Sequence, residues 1–307
     1  MSSLEMAVCR RAWQLRQLPL QGTVSLFVQS NAARVFRHLG LGKLIVFYDD
    51  NHISIDGDTN LSFTEDVEQR FKAYGFHTQY IADGDGDLVG ISRAIEAAQV
   101  VKDRPSLIRV RTTIGIGSSV QGTAKAHGAP LGSEGLALAK THFGFNPEQT
   151  FAISEDVSKY YLAAGKKGLA SWNQTIQEFK KVYPDLSNEF FRRIKGELPA
   201  GWKAALPAYK PSDAAAATRK LSEAVLCSLT EALPEVMGGS ADLTPSNLTK
   251  WKGSVDFQKP GPLGSFAGRY IRYGVREHGM FAIANGLAAY GGLIPFTSTF
   301  LNFISYG

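Results

Sequence analysis

Cysteine is almost missing from this 307-residue sequence. Only Cys9 and Cys227 occur, too few for a disulfide framework, so a reducing compartment is expected. No apolar run approaches the length that crosses a bilayer, and no membrane-spanning helix is expected. One-signed charge is also scarce over most of the chain. The formal net charge is +5, but Arg10, Arg11, Arg16, Arg34 and Arg37 stand against Glu5 alone within residues 1–38 and account for +4 of it. The rest is nearly neutral, which argues against nucleic acid as a partner. An arginine-rich, acid-poor start also has the composition of a mitochondrial transit peptide.

What is present suits two α/β domains of ordinary size: 44% hydrophobic residues and 31 glycines. From residue 39 the pattern is regular. Strand character over Leu44–Tyr48 ends in Asp49, Asp50 and Asn51; a helix is predicted over Thr64–Tyr74, a strand over His77–Ile81, a helix over Leu88–Lys102 and a strand over Ser106–Thr112. That alternation predicts a parallel, doubly wound sheet. Ligands bind such sheets beyond the carboxyl ends of the strands, where Asn51 and the loop Thr113–Gly117 would lie. Residues 165–212 carry Trp172, Trp202, several prolines and a lysine-rich helix over Thr175–Val182, and read as a connecting arm. A second α/β unit starts near Ser212, with a helix over Ala217–Leu233, a short strand over Glu235–Gly238, a loop over Gly239–Asn247 and a strand over Leu293–Thr297. It holds too few strands for a complete domain and reads as truncated.

The stretch GRYIRYGVREHGMFAIANGL, residues 268–287, places the carboxylate of Glu277 among Arg276, His278 and a packed apolar helix. Tyr273 and Gly274 form the turn into that helix, and Glu277 falls in its first turn, near the positive end of the dipole. On spacing alone, Glu277 is a helix-start glutamate paired with Arg276. Likewise Asn51 after a strand is a turn or cap residue, His127 before glycine is structural, Arg219 is a helix-surface charge, and Phe300, Phe303 and Tyr306 form a core-facing stripe.

A wider set of motifs changes these readings. LGLGKLIVFYDDNHISIDGDT, TTIGIGS, HGAPLG, FGFNP, ATRKLSE, GGSADLTPSNLT, GRYIRYGVREHGM and TFLNFISYG, in that order from about residue 38 to residue 307, resemble transketolase. The resemblance implies an α/β protein with doubly wound parallel sheets of the thiamine diphosphate-binding fold, both domains incomplete. Its divisions are an aberrant segment over 1–37, the later part of the pyrophosphate-binding domain over 38–186, a linker over 187–211, and the start of the pyrimidine-binding domain over 212–307. The implied activity is transfer of a two-carbon ketol unit between sugar phosphates in the pentose phosphate pathway, with thiamine diphosphate and Mg²⁺ or Ca²⁺, in a cytoplasmic homodimer without nucleic acid or membrane. The alternatives are a dihydroxyacetone synthase-like enzyme, and a non-catalytic fragment or gene-model artefact. Sites in this family form between two subunits, so this exact chain is expected to be inactive alone.

Residue by residue, the resemblance makes Glu277 the acid that activates the cofactor by sharing a proton with its pyrimidine ring, in a dry and partly apolar pocket. Phe300, Phe303 and Tyr306 match the pyrimidine pocket, where stacking on a flat heterocycle is the task. His127 matches a histidine that contacts cofactor phosphate and donor substrate, Ile114 a residue near the thiazolium, and Asp242 one near the cofactor. Arg219 and Ser246 match residues that grip the sugar phosphate, a job suited to a cationic fork and a hydroxyl. Asn51 and the carbonyl of Ile53 match two metal ligands, and a divalent cation wants about six hard oxygens. The third protein ligand, the aspartate of a Gly-Asp-Gly about thirty residues upstream, has no counterpart. The Gly-Asp-Gly at 84–86 lies downstream of Asn51 and reads as a turn, so Asp85 is not taken as a ligand.

The start of the chain has an explanation in the genetic code. A nucleotide string that encodes the family segment GDGCLQEGVATEAAALAGH gives, read one base later, EMAVCRRAWQLRQLPLQG, identical to Glu5 through Gly22. Residues 5–23 are therefore expected to be an out-of-frame reading of the metal-binding motif. Val24 and Ser25 are encodable by GTAAGT, a splice-donor consensus, so 24 to about 37 read as translated intron.

Overall fold

The structure, a computed structural model, describes residues 32–307. The expected out-of-frame reading over 5–23 and the expected splice boundary at 24–25 lie outside the described residues. Two parallel sheets organise the rest. In the first unit, β1 (Ile45–Asp50) is followed by a small antiparallel pair, β2 (Ile53–Ser54) with β3 (Gly57–Asp58), then by β4 (His77–Ile81) and β5 (Ser106–Arg111). The sheet order is β1-β5-β4, all parallel, with Asp50 opposite Arg111 and Ile81 opposite Val110.

The central strand explains the layering. Successive β5 side chains point to opposite faces. Leu107 packs with Ala33, Val67 and Phe76 on one side, and Ile108 with Ala94 and Ala98 on the other. The helices Val67–Ala73 and Leu88–Val100 cover these two faces, which is the doubly wound arrangement expected. Each is started by an aspartate accepting from a backbone N–H: Asp66 from Gln69 and Asp87 from Gly90. The first cap sets that helix to begin at Val67, three residues later than the spacing suggests.

The arm differs more. The lysine-rich stretch is only the end of a 28-residue helix, Glu155–Val182, and a second helix follows over Pro184–Ile194. The boundary expected between 186 and 187 falls inside that second helix. Arg192 on it reaches the buried Glu235 at the foot of the second sheet.

In the second unit, helix Thr218–Ala232 leads to β6 (Val236–Ser240), and β7 (Tyr270–Arg272) and β8 (Ile294–Ser298) lie parallel on either side of it. Three-residue β7 was not legible from the pattern; its apolar run is too short to show a period. All five β6 residues are buried. Gly238 and Gly239 are required by closeness to the neighbouring strands: a Cβ on Gly239 would lie 1.8 Å from the Ile271 carbonyl oxygen, and one on Gly238 2.0 Å from that of Phe296.

One core cluster joins the two units. Val35, Leu39, Leu41 and Leu44 pack with Met237, Phe257, Ile271, Tyr273, Met280 and Leu287. Residues 32–38 form a helix whose Ala32, Ala33 and Val35 are buried. The segment read as translated intron thus runs into a helix that serves the core, and residue 37 marks no structural boundary.

Candidate functional site

Glu277 is the first residue of the helix Glu277–Tyr290, whose Gly279, Met280, Ala284 and Leu287 are buried. Small and apolar residues at these positions let the helix lie close on the second sheet and hold its start above the ends of β6 and β8. The carboxylate is half-buried and accepts a hydrogen bond from Thr299 Oγ1 at Oε1, 3.0 Å. Arg276 instead donates to the Tyr273 carbonyl at 2.8 Å, so the pairing of Glu277 with Arg276 expected from spacing alone is not formed. The sequence reading missed Thr299. Its one signal is position, directly after a parallel strand, at the end where ligands collect.

The Thr299 bond has enough energy to matter. Freezing a glutamate side chain costs about 1.5–2 kcal/mol of rotamer entropy. A hydrogen bond to a charged group contributes about 1.5–3 kcal/mol, comparable with that cost, so the bond offsets the entropy of holding one rotamer.

Next to Thr299, the rings of Phe300 and Phe303 lie 6.0 Å apart and tilted by 31°. Tyr306 meets His278, the neighbour of Glu277, at 6.3 Å. The three aromatic side chains are 40–57% exposed, so they are not the core-facing stripe of the simplest reading. An open aromatic face beside a held carboxylate with one free oxygen fits a flat heterocycle that carries a ring nitrogen.

Asn51 follows β1 in a loop tied to itself: Asn51 Oδ1 accepts from the Ile53 N–H at 3.0 Å, and His52 takes a φ of 59°. Asp50 beneath it is buried and accepts from Arg109 Nε and Nη2 at 2.8 and 2.6 Å, with His52 Nε2 at 3.3 Å. Burial, with Asp50 adding to it, pushes the nearby Tyr48 hydroxyl up to about 12. Asp85 sits in a turn between β4 and the following helix, and accepts from the Thr113 N–H. No group of three or more His, Cys, Asp or Glu able to hold a metal occurs among the described residues. Asn51 and the Ile53 carbonyl are neutral oxygens, and a site for a divalent cation needs more than these two.

The loop after β5 carries the other first-unit candidates. The Ile114 carbonyl accepts from Gly122, and a turn of 3₁₀ helix over Ala124–Ala126 delivers half-buried His127. In the second unit Asp242 adopts a φ of 64°, a strained conformation for a residue other than glycine. Arg219 reaches Ser246, but through its backbone carbonyl, at 3.3 Å. A cleft of about 570 Å³ opens between the 32–38 helix and the ends of β6 and β7, lined by Arg34, His38, Asp242, Arg272 and Arg276 among others.

The structure therefore gathers Glu277, Phe300, Phe303 and Tyr306 into one place and Arg219 with Ser246 into another. Among the described residues, no hydrogen bond, ion pair or ring contact joins Asn51, Ile53 or Ile114 to Glu277, Asp242 or the three aromatic residues.

Two α/β units in one chain, one ending in open loops beyond its strands and the other in a carboxylate beside exposed rings, define a paired-domain α/β protein. The chain belongs to the transketolase family. Residues 21–199 match the family model described as "Transketolase, thiamine diphosphate binding domain", and residues 214–307 match "Transketolase, pyrimidine binding domain". The first match begins ahead of residue 38, where the motif resemblance starts. Transketolase from Scheffersomyces stipitis is 51% identical over 284 residues, covering 91% of this chain and 42% of the relative. Transketolase 1 of Saccharomyces cerevisiae is 48% identical over 285 residues with the same two coverages. The crystal structure of the Pichia stipitis transketolase in complex with sedoheptulose 7-phosphate superimposes with a TM-score of 0.87 at 51% identity, covering 94% of this chain and 43% of that one. Transketolase from Leishmania mexicana gives 0.85 at 45% identity, with coverages of 94% and 42%. The chain thus spans about 42% of the length of these relatives. No helix among the described residues is long and apolar enough to cross a membrane.

Proposed function

We propose that these residues belong to a site that transfers a two-carbon ketol unit between sugar phosphates with thiamine diphosphate and a divalent cation. The relatives reported above are all transketolases, which favours this reading over a dihydroxyacetone synthase. Thiamine diphosphate, when bound, supplies the carbon nucleophile for the ketol unit. Glu277 holds the proton shared with the pyrimidine nitrogen, Phe300, Phe303 and Tyr306 stack on that ring, and the apolar helix behind Glu277 keeps water away. Asn51 and the Ile53 carbonyl would give two oxygens to Mg²⁺ or Ca²⁺, and the diphosphate would give others; the aspartate ligand has no counterpart in this chain. Ile114 and Asp242 line the thiazolium side, His127 contacts phosphate and donor sugar, and Arg219 with Ser246 holds the sugar's phosphate.

The observation that carries the reading is the Glu277 carboxylate, held by one oxygen beside the open aromatic face. The lack of contact between this group and the Asn51 loop within one chain supports a site shared between two copies, and the cytoplasmic homodimer is what the family resemblance implies. On this view the chain by itself presents half-sites and is inactive alone. Calorimetry of the purified chain with thiamine diphosphate, with and without Mg²⁺, tests it. Weak binding indifferent to metal is expected. Micromolar, metal-dependent binding would overturn the inactive-fragment reading, and no binding into the millimolar range would overturn the pyrimidine-site assignment.

A further inference from the structure

The carboxylate of Glu277 is fixed at one end by the helix that begins with it and at the other by a residue 22 positions later. Thr299 has little freedom of its own. β6 pairs with β8 through Ser240 and Ser298, and the Ala241 N–H donates to the Ser298 carbonyl at 3.0 Å. Thr299 is thus the first residue beyond the last paired position, and Phe300 of the aromatic pair comes directly after it. A single strand end therefore sets both the hydroxyl that touches Glu277 and the ring face that would carry a heterocycle.

We propose that Thr299 is a positioning residue: by donating to Glu277 Oε1 it leaves Oε2 as the one oxygen presented to the ring nitrogen of an aminopyrimidine seated against Phe300 and Phe303. A glutamate free to turn would present either oxygen, or neither, to the ring, whereas a hydrogen-bonded one is preorganised before the ligand arrives. Thr299 touches Glu277 rather than the ligand, so its effect is on the fit of one nitrogen and not on stacking. The proposal rests on the pyrimidine-site reading given above.

The test uses this chain with two probes, the aminopyrimidine half of thiamine and its deaza analogue in which C–H replaces the ring nitrogen. Calorimetry of the unaltered chain should favour the aminopyrimidine by about tenfold, the scale of a hydrogen bond to a charged group. Thr299→Val should remove most of that preference while binding the analogue unchanged, and Thr299→Ser, which keeps the hydroxyl, should restore it. Thr299→Ala serves as a second hydroxyl-free variant should valine disturb folding, which the thermal midpoint reports. A Thr299→Val or Thr299→Ala chain that still discriminates as well as the unaltered one overturns the positioning role alone. An unaltered chain that does not discriminate removes the pyrimidine-site reading, and the role of Thr299 with it.

Discussion

Arg192 donates to both oxygens of Glu235, at 2.9 and 3.0 Å, from a helix in the connecting arm to a carboxylate whose side chain is only 4% exposed. The same guanidinium also holds Glu189, at 2.7 and 2.9 Å. A buried charge that loses its partner is left uncompensated, at a cost of about 3–5 kcal/mol. Arg192→Ala is therefore expected to lower unfolding stability by about 3 kcal/mol in a urea titration. Arg192→Lys should recover only part of it, since an ammonium cannot form the fork. A loss below about 1 kcal/mol for the alanine variant would show that the pair adds nothing beyond a surface contact.

Glu189 gives the same cluster a pH dependence. The Arg192 hydrogen bond, with that of Arg193, holds its carboxyl down from 4.5 to about 2, while burial opposes them. A carboxyl depressed in the folded state binds fewer protons folded than unfolded. Its contribution is full above about pH 4.5 and is lost as pH falls toward about 2. Acid unfolding followed by circular dichroism should show that loss, and Glu189→Gln should flatten the curve in this window. Equal slopes for both proteins would remove Glu189 from the account.

Tyr273 is fully buried, and among the described residues its hydroxyl has no hydrogen-bond partner. Burial pushes that hydroxyl's ionisation well above the usual tyrosine range. Removing an unsatisfied buried polar atom without opening a cavity should help. Tyr273→Phe is expected to raise stability by up to about 1 kcal/mol, against the usual direction of core substitutions. A loss of that size would mean an internal water satisfies the hydroxyl.

Gly239→Ala should do the opposite. Its new Cβ would meet the Ile271 carbonyl at 1.8 Å, an approach that only movement of β7 away from β6 relieves. The expected loss is on the order of 3 kcal/mol, with faster amide exchange at Ile271 and Arg272 than elsewhere in the sheet. Uniform exchange across the second unit would contradict this.

For the chemistry, Glu277→Gln in a full-length transketolase context should cut turnover by at least about a hundredfold, the lower range for losing a general acid. The thermal midpoint should hardly move, because the amide keeps the size of the carboxyl. Turnover near the unaltered level would exclude Glu277 as the acid.

Local pattern explains which elements were legible. Strand His77–Ile81 has the same bounds in sequence and structure, and Ser106–Arg111 and Thr218–Ala232 fall within a residue of expectation at each end. Each is long enough to show a period and is bounded by turn or cap chemistry. The three-residue β7 is too short for that. The helix Glu155–Val182 has no buried residue, and only its lysine-rich end was read as helix from the sequence.

The sequence by itself determined the α/β class, the transketolase resemblance and the placing of Glu277 at the start of a helix, because these depend on residues close together along the chain. Tertiary structure decided which groups hold that glutamate and join the units. Thr299 stands in for the expected Arg276, Arg192 clamps Glu235 across 43 positions, and residues 32–38 pack into the shared core. Such contacts depend on which strands lie side by side and where their ends fall. Local spacing does not specify this, since the order β7-β6-β8 arises only when distant strands pair.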